Sequence, residues 1–86
     1  MDINQLIKIV KKKINQKISC KKIEIKDNTF LHESHKNYQD GKFHIKLEIK
    51  SLYLNKMNKI ESTKIIYKIL DEELKKYIHS IQILIN

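Results

Sequence analysis

The alternation of apolar and polar residues from Phe43 to Lys50 constrains the fold more than any other feature of this 86-residue chain. Successive side chains of a strand point to opposite faces of a sheet, so this segment predicts a strand with one face on a core and one in solvent. A shorter alternation from Lys21 to Lys26 predicts a second strand, and we expect the two to form an antiparallel pair. The apolar residues on one face of each are Phe43, Ile45, Leu47 and Ile49, and Ile23 and Ile25.

Two other segments have the period of an amphipathic helix. Asp2 and Gln5 form a predicted capping box at the start of the first helix, and Ser62 or Thr63 is the predicted cap of the second. We expect the acidic run 71–73 to lie on the outside of the second helix. The apolar stripes are Ile3, Leu6, Ile7, Val10 and Ile14 in the first helix, and Ile65, Ile66, Ile69, Leu70, Leu74 and Tyr77 in the second.

The end of the chain alternates again, with Ile81, Ile83 and Ile85 on one face of a predicted final strand. Between the second strand and the second helix, residues 52–60 predict an irregular turn that includes one turn of helix. The predicted order is therefore helix–strand–strand–helix–strand. A three-stranded sheet with both helices packed on one face buries all five apolar faces, so we expect one α+β domain spanning residues 1–86.

The net charge of +8 comes from 18 lysines against 10 acidic residues, and the sequence contains no arginine. A basic surface attracts phosphate, but arginine is the side chain best suited to bidentate recognition of phosphates and bases. A solvated lysine surface is therefore favoured over a nucleic-acid interface. The single Cys20 excludes an internal disulfide and a metal site built from several thiolates of one chain. No apolar run reaches the length of a membrane span, and we expect a cytoplasmic protein that contacts no membrane.

Three strings of residues, in this order and spacing, resemble the BolA family. Residues 27–32 have the pattern D-x-T-x-x-H, which is similar to the family's D-x-S-x-x-H. Residues 44–51 are similar to its strand H-F-x-V-x-I-V-S, and residues 67–81 to its Y-x-x-L-x-E-E-L…H-A-L. The family's fold, which is similar to the type II KH domain, has the same order of elements as the one predicted above.

The resemblance implies a partner role rather than an enzymatic one. BolA-like proteins pair with monothiol glutaredoxins, and the two proteins share a [2Fe–2S] cluster. Two irons need four terminal ligands, which are usually thiolates, although histidine can replace some of them. His79 matches the family's histidine ligand before the last strand, and His32 matches the loop histidine that can be the second ligand. The glutaredoxin and glutathione would supply the thiolates.

Without the resemblance, the histidines have simpler interpretations. His79 would be a helix-end residue whose charged form suits the negative end of the helix dipole, and His32 a solvated loop residue. His44 alternates with Phe43 and Ile45, so we expect a surface histidine. His35 forms H-x-x-H with His32, which is only a weak indication of zinc. We expect residues 28–41, which contain few apolar side chains, to be the most mobile part of the free chain.

The alternative function is a nucleic-acid-binding transcriptional or stress regulator, with DNA as a partner of the KH-like fold. Its expected contacts are Lys56, Lys59 and Lys64, in the turn and at the start of the second helix. The turn 55–58 lacks the G-x-x-G with which KH domains clamp the backbone of a nucleic acid. The chain also contains no recognisable catalytic set and no glycine-rich phosphate loop. We therefore predict a protein that is not an enzyme and has no small-molecule substrate.

Overall fold

The computed structural model describes residues 1–29 and 42–86 and confirms the predicted α+β architecture. The predicted second helix is divided at Leu70 into two helices, and a single helical turn precedes it. The predicted mobility of residues 28–41 concerns a segment that lies almost entirely outside the described residues. The elements are α1 (Ile3–Lys17), β1 (Lys22–Asp27), β2 (Phe43–Lys50), α2 (Leu52–Asn55), α3 (Lys59–Ile69), α4 (Asp71–Lys76) and β3 (Ile78–Ile85).

The three strands form one mixed sheet in the order β1–β2–β3. β1 and β2 are antiparallel, as predicted, with Ile25 opposite Leu47. β2 and β3 are parallel, with Ile45 opposite Ile81, and the helices α2, α3 and α4 form the connection that a parallel pair requires. β1 therefore ends beside the starts of β2 and β3. We call this edge of the sheet the histidine end, after His44 and His79.

The core lies between one face of the sheet and the helices. Leu6, Val10 and Ile14 of α1 are fully buried, which confirms the centre of the predicted stripe. The odd-numbered residues of β2 meet them from the sheet, and Ile81, Ile83 and Ile85 of β3 pack at the margin of the core. The remaining buried apolar residues are Ile18, Ile45, Leu47, Ile49, Leu54, Ile66, Leu70 and Ile78.

One predicted helix start is confirmed and the other is wrong. The Asp2 carboxylate accepts a hydrogen bond from the backbone N–H of Gln5 at 2.8 Å, and the Gln5 side chain accepts one from the backbone N–H of Asp2 at 3.0 Å. The second helix starts earlier than predicted, because Asn58 caps it by accepting from the backbone N–H of Glu61 at 2.8 Å. Ser62 is instead buried inside α3, where its hydroxyl donates to the backbone carbonyl of Asn58 at 3.2 Å. Asparagine is at least as good a cap as serine, and it comes first along the chain.

Glu73 does not lie on the outside of its helix as predicted. Its residue surface is only 3% exposed, and its Oε2 accepts a hydrogen bond from Lys13 Nζ at 2.6 Å. Glu73 follows the buried Leu70 by one helical turn, so the break between α3 and α4 leaves both residues facing the body of the protein. The hydrogen bond from Lys13 to Glu73 raises the pKa of Lys13. In the described part of the chain, no helix is both long and apolar enough to cross a membrane.

Candidate metal centre

A β-bulge places His79 on the surface at the histidine end. Phe43 pairs with Ile78, but the next residue, His44, pairs with Ser80, so His79 is an extra residue in β3. Ile78 is buried in the core, whereas His79 and Ser80 are both exposed. An extra residue interrupts the alternation of side chains between the two faces of the sheet. The consecutive side chains of His79 and Ser80 therefore both lie outside the core. Bulges are rare between parallel strands and are over-represented next to functional sites.

His44 is buried, which contradicts its predicted surface position. The residue is only 5% exposed, its Nδ1 lies 2.7 Å from the Ser80 hydroxyl oxygen, and its ring centroid lies 4.8 Å from that of His79. The alternation correctly predicted that His44 is on the face opposite the helices, but alternation does not predict what covers that face. The indication in the sequence was the histidine that opens the family's strand pattern. The structure thus brings together His79 and a histidine that we had not predicted to belong to the site.

The first half of the D-x-T-x-x-H string anchors the end of β1 to the start of β2. The Thr29 hydroxyl accepts a hydrogen bond from the backbone N–H of His44 at 3.1 Å, and Asn28 donates its own N–H to the His44 carbonyl at 2.7 Å. The Asp27 carboxylate in turn accepts from the backbone N–H of Thr29 at 3.0 Å. The chain therefore leaves the described region at the histidine end. His32, the second predicted ligand, lies outside the described residues.

The histidine end can supply only part of the ligand set of a [2Fe–2S] cluster. Among residues 1–29 and 42–86, no group of three or more His, Cys, Asp or Glu side chains could hold a metal ion. Cys20 precedes β1, whose first residue pairs with the last residue of β2, so the thiol is roughly 20 Å from His79 along the strand direction. Burial also raises the pKa of Cys20, which disfavours the thiolate that binds metals. These residues fit a cluster only if another molecule provides the thiolates.

The lysines of the alternative nucleic-acid interface lie away from the histidines. Lys56, Lys59 and Lys64 are all exposed, and Lys59 lines a groove of about 240 Å³ between the start of α3 and the last residues of β3. The first turn of α3 is already occupied, because the Asn58 side chain accepts from the N–H of Glu61 and donates to its carboxylate at 3.2 Å. A phosphate at this helix start would meet a negative side chain. The described residues therefore form a basic surface here rather than a phosphate clamp.

The mixed three-stranded sheet, covered on one face by helices, defines a small α+β domain with an exposed histidine at a bulge. The family model described as BolA-like protein matches residues 14–86. The chain belongs to the BolA family, as the resemblance of its three strings predicted.

Solved structures of this family have the same fold. BolA1 from Arabidopsis thaliana is 24% identical, with a TM-score of 0.75 over 90% of this chain and 85% of its own. The BolA domain of SufE1 from Arabidopsis thaliana is 20% identical, with a TM-score of 0.78 over 100% of this chain and 93% of its own. BolA1 from Mus musculus is 18% identical, with a TM-score of 0.71 over 90% of this chain and 60% of its own. No curated protein sequence matches the chain.

Proposed function

We propose that this BolA-family protein is a non-enzymatic partner of a monothiol glutaredoxin, and that the two share a [2Fe–2S] cluster used in cluster transfer or iron homeostasis. The observation that carries the proposal is the position of His79. The bulge holds this imidazole in solvent, at the edge of the sheet and in contact with the ring of His44. A ligand in that position is accessible to a second protein.

The ligand count supports a shared cluster. A [2Fe–2S] cluster needs four terminal ligands, and the only thiol of this chain is near the opposite end of the sheet. His79 supplies one imidazole. We assign His32 as the second ligand, because it matches the loop histidine of the family pattern and follows Thr29, at the histidine end, by three residues in the sequence. The glutaredoxin cysteine and glutathione would complete the set. When bound, the cluster would supply the iron and sulfide that the pair passes on.

This chain's own residues contribute orientation as well as ligands. The hydrogen bond between His44 and Ser80 fixes the residue that follows His79, and the ring contact limits the orientations that the His79 imidazole can adopt. Mutating a group that orients the ligand of a metal typically lowers metal affinity about 10–100-fold. We therefore assign His44 a positioning role at this site.

The test is reconstitution with a monothiol glutaredoxin, glutathione, ferrous iron and sulfide. We expect a heterodimer whose absorption and circular dichroism spectra differ from those of the glutaredoxin homodimer. The substitution His79→Ala should abolish the heterodimer spectrum, because neither Ile78 nor Ser80 can replace the ligand. It should leave the fold intact, because His79 is exposed. His32→Ala should weaken or shift the spectrum.

Gln82→Ala is the matched control, because Gln82 is exposed on the same face of β3 and has no role in the proposed site. It should behave as the wild type. An unchanged homodimer spectrum in the presence of the wild-type chain would exclude the shared cluster. A folded His79→Ala variant with the wild-type heterodimer spectrum would exclude His79 as a ligand.

Binding of DNA by a transcriptional or stress regulator is the second candidate function. It is supported by the net charge of +8 and by the exposure of Lys56, Lys59 and Lys64, of which Lys59 lines the groove at the end of β3. Phosphate-driven binding weakens steeply between low and physiological salt. Sequence preference that survives at physiological salt, and is lost in a triple lysine-to-glutamine variant, would favour this function over the first. Loss of all binding at physiological salt would leave only nonspecific attraction.

A further inference from the structure

The helical side of the protein contains a groove that neither proposed function uses. It has a volume of about 570 Å³ and lies between the second half of α1 and α3, with Tyr53 of α2 at its margin. Its floor is apolar: Ile18 is buried, and Ile65 and Ile69 are half-buried against the core. The side chain of His79 projects from the opposite face of the sheet. A molecule in the groove would therefore leave the histidine end free.

Three lysines line this apolar floor: Lys13, Lys17 and Lys68. Lys13 is bound by Glu73 and lies 3.7 Å from Glu72. Lys17 and Lys68 are exposed and make no ion pair within the described residues. The groove thus combines an apolar surface with two available positive charges. This combination is complementary to an apolar side chain flanked by carboxylates.

We propose that this groove is a docking site for an acidic amphipathic helix of a protein partner. Amphipathic helices bind grooves of this kind through apolar anchors spaced one turn apart, and carboxylates beside those anchors would pair with Lys17 and Lys68. A second copy of this chain is a poor occupant, because it also carries a net charge of +8. A membrane surface is a poor occupant as well. The groove is concave, and the centre of the apolar stripe of α1 is already buried in the core.

The probe is a synthetic helical peptide of about 14 residues, long enough for roughly four turns, with leucines one turn apart and glutamates beside them. Two matched peptides accompany it, one with lysine in place of glutamate and one with alanine in place of leucine. Binding is followed by methyl and amide shifts in NMR titrations of the full chain. We expect the acidic amphipathic peptide to shift Ile18, Ile65 and Ile69, and neither matched peptide to bind comparably.

The variant Lys17→Gln/Lys68→Gln should weaken binding of the acidic peptide by at least about fivefold, a loss of roughly 1 kcal/mol. Lys8→Gln/Lys11→Gln removes the same charge from exposed positions of α1 outside the groove and should change affinity by less than twofold. Tyr53→Ser, at an exposed position, should also weaken binding without unfolding the chain.

Several results would overturn the proposal. The acidic peptide could fail to bind. Alternatively, the two double variants could weaken binding of the acidic peptide equally, which would indicate diffuse charge attraction. Equal binding of the peptide without leucines would show that the apolar floor is not used. Vesicles of anionic phospholipid that shift the same methyl groups, when the acidic peptide does not, would identify a membrane surface instead. None of these measurements uses the cluster or a glutaredoxin, so they can fail independently of the proposed function.

Discussion

The histidine end carries two histidine rings that contact each other, one buried and one exposed. The buried ring of His44 is held by Ser80, the neighbour of the exposed His79. Sequence patterns identified His79 as a candidate ligand because the family motif contains it. They did not identify His44 as part of the site, because its burial depends on packing between residues distant in the sequence.

Ser80→Ala should destabilise the protein although Ser80 is exposed. The substitution removes the hydroxyl 2.7 Å from His44 Nδ1, and removing a hydrogen-bond partner of a buried polar side chain costs about 1–2 kcal/mol. Chemical denaturation followed by circular dichroism measures this loss. Gln82→Ala, on the same face of the strand, should change the free energy of unfolding by less than about 0.5 kcal/mol. An equal effect of the two substitutions would argue against the His44–Ser80 bond.

Cys20→Ser should leave cluster sharing intact. The thiol donates a weak hydrogen bond to the carbonyl of Ile18 at 3.7 Å, burial raises its pKa, and the histidine end is at the other end of the sheet. We expect the affinity of the cluster-bound heterodimer to change by less than about tenfold, or 1.4 kcal/mol. Titration of the variant with glutaredoxin measures this affinity. Loss of the heterodimer spectrum would show that the thiol participates.

Features that follow from the pattern within one segment were predicted correctly. Features that depend on contact with a second segment were not. The alternation in β2 and the stripe of α1 are properties of single segments, and both were confirmed. The bulge at His79 exists only relative to the register of β2. The burial of Glu73 depends likewise on Lys13, which is 60 residues away in the sequence. No periodicity within one segment contains that information.

Lys13 of α1 and Glu73 of α4 join these two helices, and Lys13→Ala should destabilise the protein. Removing the lysine leaves a buried carboxylate without its charge partner, which costs several kcal/mol in a fully buried site. The Lys13 side chain is 33% exposed, so we expect a smaller loss of about 1–2 kcal/mol. Thermal or urea denaturation measures the loss. Lys12→Ala, at an exposed position of the same helix, is the control and should be nearly neutral.

The same pair should make stability fall at alkaline pH. The pKa of Lys13 is raised above its ordinary value of 10.5, so the folded state holds this proton more tightly than the unfolded state. The stabilisation is therefore complete below about pH 10 and is lost as the pH rises through the raised pKa of the folded protein. The difference in unfolding free energy between wild type and Lys13→Ala should narrow over that alkaline range. A difference that stays constant with pH would contradict the ion pair.

For the molecule as a whole, the position of β3 determines when the site can form. β3 is the last of the described elements, yet it pairs in parallel with the central strand β2, which is separated from it by three helices. Strands so distant in sequence lose chain entropy when they come together, before the contacts between them form and compensate for that loss. During synthesis, β1 and β2 emerge first, but the register that exposes His79 beside His44 does not exist until β3 has left the ribosome. A nascent chain from which β3 has not emerged therefore cannot present the paired histidines, so the assembled site reports that the strands most distant in sequence have paired.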